Sequence, residues 1–183
     1  MLQPMKESGF PNGVLLTSCV SLVLALSSCG GVSDRTLDDS HFDITAQQPT
    51  EDVVQLRHAT LPSALGLLAV HCWLVAYDSE EKTWSRWEVW QRKNAGGQSW
   101  GHLHKNLMEL DEGVGGGETK IRHEWRGSDA QKILAVLNRP SDYPHKDTYR
   151  AWPGPNCNTY VSWILTQAGI KYDLPSKALG KNY

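Results

Sequence analysis

The alternation of apolar and polar positions is sharpest in two neighbouring stretches. In Val70-His71-Cys72-Trp73-Leu74-Val75-Ala76-Tyr77, a strand places His71, Trp73, Val75 and Tyr77 on one face and Cys72, Leu74 and Ala76 on the other. Thr83 to Gln91 alternates likewise, with Trp84, Arg86, Glu88 and Trp90 opposite Ser85, Trp87, Val89 and Gln91. The polar run Asp78-Ser79-Glu80-Glu81-Lys82 between them predicts a hairpin. Asp52–Arg57 and Thr119–Trp125 predict flanking strands, and Leu61–Leu68 an apolar approach to the His71 strand. The middle of the chain has no period. Its runs 94–97 and 113–117 are read as loops, and the glycines of the second lack the order and the Lys-Ser or Lys-Thr ending of a phosphate-binding loop.

The period lengthens to that of a helix twice. Ser128-Asp129-Ala130-Gln131 reads as a capping-box start, Ile133, Leu134, Val136 and Leu137 as one apolar face, and Pro140 as the stop. A second helix is predicted from Cys157 to Ala168, with Tyr160, Val161, Ile164, Leu165 and Ala168 on one side and Gly169 ending it. Tyr143–Pro155 is a loop rich in Tyr, Trp and Pro, and Asp173–Tyr183 an irregular tail. Strands with few helices and no βαβ rhythm predict an α+β fold around an antiparallel sheet.

The first residues follow a different logic. Lys6, the apolar run from Val14 to Leu26, and Leu26-Ser27-Ser28-Cys29 match a bacterial lipoprotein signal, in which the Cys is diacylated and becomes the new N-terminus. Residues 1–28 are therefore read as signal peptide, Cys29 as the lipidation site, 29–50 as a polar tether, and 51–183 as one α+β domain. Gly30 after the Cys, where enteric bacteria place Asp for inner-membrane retention, points to the outer membrane, facing the periplasm. The expected partners are the membrane, through the lipid, and a peptidoglycan or lipid substrate. A net charge of -2 leaves no nucleic-acid footprint. Eight Trp against two Phe favour a core use of Trp over a binding groove.

Cys157, in Gly154-Pro155-Asn156-Cys157-Asn158-Thr159, stands at a helix start, where free N–H groups and the dipole favour a thiolate. His71 is the His embedded in the strongly apolar strand, so the pair has the composition of a nucleophile and its base. Glu88, on the same face of the hairpin partner, is the first choice to orient the imidazole. His102 and His104 are second choices, and no further ligands accompany them to make a metal site; no cofactor is called for. Arg150, Trp152, Asn156, Asn158 and Lys181 are candidate substrate-binding residues, the two cations for a carboxylate or phosphate. The competing readings are a core His with a buried thiol, and a Cys72–Cys157 disulfide.

The runs Val70-His71-Cys72-Trp73, Arg86-Trp87-Glu88-Val89, Tyr149-Arg150-Ala151-Trp152-Pro153-Gly154-Pro155-Asn156, Asn158-Thr159, Leu174-Pro175 and Gly180-Lys181-Asn182-Tyr183 resemble a bacterial family catalogued as domain of unknown function 3750. Many members of that family carry Ser where this chain has Cys157. More distantly, the order of strand His, polar strand residue and Asn-Cys at a helix start resembles the circularly permuted branch of the NlpC-like papain superfamily. That resemblance implies a papain-like architecture and peptidase, amidase or acyl-transfer chemistry; the rival class is a non-catalytic binding or structural lipoprotein on the same scaffold.

The lipoprotein reading is checked by expressing the full chain with Cys29→Ser. The substitution is expected to abolish lipid labelling and move the protein out of the membrane fraction; unchanged partition and processing would exclude lipidation at Cys29.

Overall fold

The computed structural model describes residues 48–183; the signal peptide, Cys29 and all but the end of the tether lie outside the described residues. Six strands form one antiparallel sheet: β1 (Val53–Thr60), β2 (Val70–Asp78), β3 (Thr83–Val89), β4 (Gln98–Trp100), β5 (Leu103–Lys105) and β6 (Thr119–Arg126). Their spatial order is β4-β5-β3-β2-β1-β6. Two helices, α1 (Gly127–Leu137) and α2 (Cys157–Gln167), pack on one face of it. The α+β class and the antiparallel sheet are as the periodicity predicts.

The β2–β3 hairpin forms with Leu74 opposite Trp87 and Tyr77 opposite Trp84. Both faces follow the alternation. Cys72, Leu74 and Ala76 join Val54 and Leu56 of β1 beneath Ile133, Leu137, Val161 and Ile164 of the helices. Burying that many branched side chains is the main source of stability, each worth about 1.5–3 kcal/mol relative to exposure. Trp73, Trp87 and Trp125 are buried, whereas Trp152 is exposed, so Trp here is largely a core residue.

The opposite face is also covered, without a helix. Ala59, Trp73 and Val75 lie under Leu110, and the chain between Asn106 and Glu112 crosses this face. It is held by donors from the sheet to its carbonyls. Arg86 Nη1 donates to Glu109 O at 2.7 Å and Glu112 O at 2.6 Å, and Trp73 Nε1 to Leu110 O at 3.2 Å.

Three local readings need correction. The first helix does not start on a Ser128 capping box. β6 runs into α1 through Gly127, at φ +52° with its N–H on Asp52 O, and no side chain caps the helix; a glycine turn has replaced the hydroxyl. The middle of the chain is not wholly irregular, because β4 and β5 extend the sheet there. Strands of three residues are too short for a period of two to stand out. The run 113–117 contains a short 3₁₀ turn, Val114–Gly116.

The tail after α2 is irregular, as expected, yet it is structural. Leu174 and Ala178 are buried, Val70 N–H donates to Lys177 O, and Thr159 Oγ1 donates to Gly180 O at 2.6 Å. Gly180 has φ +87°, and a Cβ there would lie 2.3 Å from Asn156 Nδ2. Gly180→Ala is therefore expected to lower stability by more than about 1 kcal/mol, measured by chemical denaturation, since it combines backbone strain with a clash; an unchanged midpoint would show that the tail does not hold the start of α2.

Candidate functional site

β3 leaves β2 early. The last pair of their ladder is Leu74 with Trp87, and Trp90 N–H bonds instead to His102 O beside β5. The backbone of β2 at Val70 and Cys72 thus has no strand on that side. The Asn158 side chain fills the place: its Oδ1 accepts from Cys72 N–H at 3.1 Å, and its Nδ2 donates to Val70 O at 3.1 Å and Leu179 O at 2.9 Å. A carboxamide has the donor and acceptor of a peptide group, so it substitutes for one strand residue. Asn158 sits in the first turn of α2, so this bond set brings the Cys157 thiol to the open edge of β2, directly beside His71.

Asn156 completes the helix start. Its Oδ1 accepts from Asn158 N–H at 2.9 Å and Thr159 N–H at 3.2 Å, Thr159 Oγ1 accepts from Asn156 N–H at 3.1 Å, and Asn156 Nδ2 donates to Ala151 O and Leu179 O. This reciprocal box satisfies donors that a helix N-terminus leaves free. The Cys157 N–H, at the first helical position, is left without an intrahelical acceptor.

His71 and Cys157 are both buried and lie close enough for each to favour the other's charged form, while the Cys157 Sγ lies 3.7 Å from Asn158 Oδ1, the acceptor of its S–H. Burial favours the neutral imidazole, but the Cys157 thiolate and then Glu88 outweigh it and hold the His71 pKa at about 9. Burial likewise opposes the Cys157 thiolate; the His71 charge and hydrogen bond, helped by the Cys72 and Asn158 N–H groups, reverse the balance and bring the thiol below its ordinary value. Cys72 shares neither benefit, and burial pushes its thiol up. The two cysteines are not bonded to each other, which removes the disulfide reading: Cys72 belongs to the helix-side face of the sheet and is a small buried core residue.

Glu88 lies on the same face as His71, on neighbouring antiparallel strands. Its Oε2 is 3.0 Å from His71 Nε2. Burial alone would raise the Glu88 pKa; the His71 hydrogen bond and charge, with the Arg86 charge, hold it below the usual carboxylate range. A carboxylate only accepts, so Nε2 carries the proton and Nδ1 is the nitrogen left for the thiol. The ring is further confined by Trp73 and Trp90, at centroid distances of 5.6 and 5.4 Å.

Behind Glu88 stands Arg86, which sequence reasoning passed over. It is fully buried, with Nη2 2.9 Å from Glu88 Oε2, Nε 2.8 Å from Oε1, and its guanidinium 4.3 Å above the Trp73 ring. The signal for it was in the alternation, where Arg86 and Glu88 fall two apart on one face of β3.

The remaining candidates divide. Asn156 and Asn158 line the cleft at Cys157, but their polar groups are spent on backbone, so they build the site and do not offer bonds to a ligand. Arg150 is exposed and does not line this cleft; Trp152 and Lys181 line a separate depression, and Lys181 Nζ bonds Asp173 Oδ1 and Leu174 O. The expectation that these three surround the thiol is therefore corrected: Arg150 is exposed, Trp152 faces the separate depression, and Lys181 is held by Asp173 and Leu174 O. His102 Nδ1 bonds Trp90 O, and buried His104 bonds Ser99 Oγ, so neither orients His71. Among the described residues no group of three or more His, Cys, Asp or Glu is placed to hold a metal ion.

The cleft has a volume of about 380 Å³, with Cys157 and His71 in its wall. That is within the range of small-molecule sites. A search of curated proteins and a search of solved structures both give no match. The family model described as "Protein of unknown function (DUF3750)" matches residues 51–183, the whole of the folded domain, and the chain belongs to that family.

Proposed function

We propose that this protein is a thiol hydrolase or acyltransferase of the bacterial cell envelope, anchored by lipid at Cys29 in the outer membrane and acting on peptide, amide or ester bonds. The observation that carries the reading is the buried chain Cys157–His71–Glu88–Arg86, in which a thiol at a helix start is paired with an imidazole whose other nitrogen is tied to a carboxylate. The order of a strand His followed by a helix-start Cys on an antiparallel sheet supports assigning the fold to the circularly permuted NlpC-like architecture.

The chemistry follows from the protonation states. The Cys157 thiolate attacks the carbonyl carbon, forming a C–S bond. The negative charge gathers on the carbonyl oxygen, and the Cys157 N–H is the helix-start donor left to meet it. As the C–N or C–O bond breaks, imidazolium Nδ1–H of His71 gives its proton to the leaving group. Water, or an acceptor hydroxyl or amine, then attacks the thioester with neutral His71 as base and frees the thiolate. Glu88 holds the ring in the tautomer both half-reactions need, and Arg86 keeps Glu88 charged where burial would neutralise it.

The thiolate–imidazolium pair sets the pH dependence. Alkylation of Cys157 by iodoacetamide is expected to begin well below the ordinary thiol range, and turnover to fall above about pH 9 as His71 loses its proton. His71→Ala should move the alkylation limb above the ordinary thiol value, because burial remains while the charge is gone. A wild-type limb in the ordinary range would defeat the reading. Cys157→Ala should abolish activity and leave the fold intact.

Glu88→Gln preserves shape and removes the charge. It is expected to slow Cys157 alkylation at pH 6 while leaving the rate at pH 10 nearly unchanged. Glu88→Ala leaves Arg86 buried without a carboxylate and should cost about 3–5 kcal/mol in denaturant stability. Equal rates for wild type and Glu88→Gln at pH 6 would make Glu88 a structural residue only.

A further inference from the structure

The cleft at Cys157 is walled by Leu61, Leu65, Val70, Val89, Val114 and Leu179. Its polar groups are few, and the two asparagines among them are already bonded to backbone. Among the described residues that line it there is no Asp, Glu, Lys or Arg. Apart from the His71–Cys157 pair, whose charges answer each other, a carboxylate or ammonium seated here would lose its water and meet no counter-charge on the apolar walls, an arrangement that costs several kcal/mol. A peptidoglycan stem peptide carries such groups close to its cleavable bonds. The two cations that suited one, Arg150 and Lys181, are away from the cleft, and Lys181 is already neutralised by Asp173.

The apolar wall continues outward. The turn Ser63–Leu67, which supplies Leu65 to the cleft, and the residue after it present Leu65, Leu67 and Leu68 at 60, 74 and 67% exposure. Three exposed leucines within four positions, on the segment that borders this apolar-walled cleft, extend the surface available to a long apolar group.

We infer that the group accepted by Cys157 is a neutral aliphatic acyl chain, delivered as an ester, thioester or amide, with its tail against the Leu65–Val114 wall. The inference rests on Cys157 being the nucleophile. It decides between the lipid and the peptide substrates in favour of the lipid. In the reaction the thiolate forms a C–S bond to the acyl carbon, the C–O, C–S or C–N bond to the head group breaks, and His71 supplies the proton that the head group takes away.

The test uses the full-length chain and a series of N-alkyl iodoacetamides with methyl, butyl and octyl tails, plus a chain of octyl length ending in a carboxylate. Each reagent forms one C–S bond with release of iodide, and the product is read by mass on the peptide containing Cys157. The second-order rate constant is expected to rise by up to about fourfold per methylene until the cleft is full, as burial of each methylene in an apolar site dictates. The carboxylate-ended chain should fall well below the octyl one. Leu65→Asp, at a position 60% exposed, should remove most of the octyl-over-methyl ratio whatever it does to the methyl rate itself, since a new charge acts on the thiol equally for both reagents; circular dichroism checks the fold. Equal rates for all tails in the wild type, or a ratio indifferent to Leu65→Asp, would overturn the inference. The ratio is independent of absolute rate, so it is separate from the nucleophile reading, which falls instead if even the methyl reagent reacts no faster than with an ordinary buried thiol.

Discussion

One side-chain amide holds the site together. β2 loses its β3 neighbour beyond Leu74, which leaves a backbone donor at Cys72 and an acceptor at Val70 that would be costly to bury unpaired. Asn158 satisfies both. Because it belongs to α2, the same two bonds fix the helix start against the strand. Cys157 is thereby set in line with the sheet edge, where a helix on one face can bring its thiol to a His that projects to the other. Had the β2–β3 ladder continued for two more residues, Asn158 would have had no seat.

The electrostatics depend on this placement. Arg86, Glu88 and His71 are all buried, and burying ions is unfavourable unless each is met by a partner of opposite sign or by hydrogen bonds. Arg86 has both a carboxylate and two loop carbonyls. Glu88 has Arg86 and His71. His71 has Glu88 on one nitrogen and the thiol on the other. Each charge in the row is stabilised by the next, and the row ends at the Cys157 thiol, whose ionisation it favours. The ordering of the ring between Trp73 and Trp90 adds rigidity without adding another proton acceptor.

Much of this was legible in the chain. The period of two from His71 to Tyr77 and from Trp84 to Trp90 defines which residues share a face, and a hairpin of that register brings Glu88 diagonally across from His71. The helix from Cys157 carries its own apolar stripe. What was not legible came from tertiary pairing. Arg86 reads as an ordinary solvent-facing cation until the loop over that face is known to bury it. Arg150, Trp152 and Lys181 are near Cys157 in sequence or motif, but their direction is set by the path of the loop and the tail. β4 and β5 owe their existence to the edge of β3, since three residues carry too little pattern of their own.

The covering of the second face has a different kind of consequence. Arg86 and Trp73 grip the stretch from Glu109 to Glu112 by its carbonyl oxygens, and every amino acid supplies an identical carbonyl. These clamp bonds therefore depend on the path of the backbone, and side chains enter the cover chiefly at Leu110, over Trp73 and Val75, and at Asn106, whose Oδ1 accepts from Arg86 N–H. At its exposed positions Glu109, Asp111 and Glu112 this part of the surface can accept substitution, and acquire new contacts outside, while the buried charges beneath remain shielded from water.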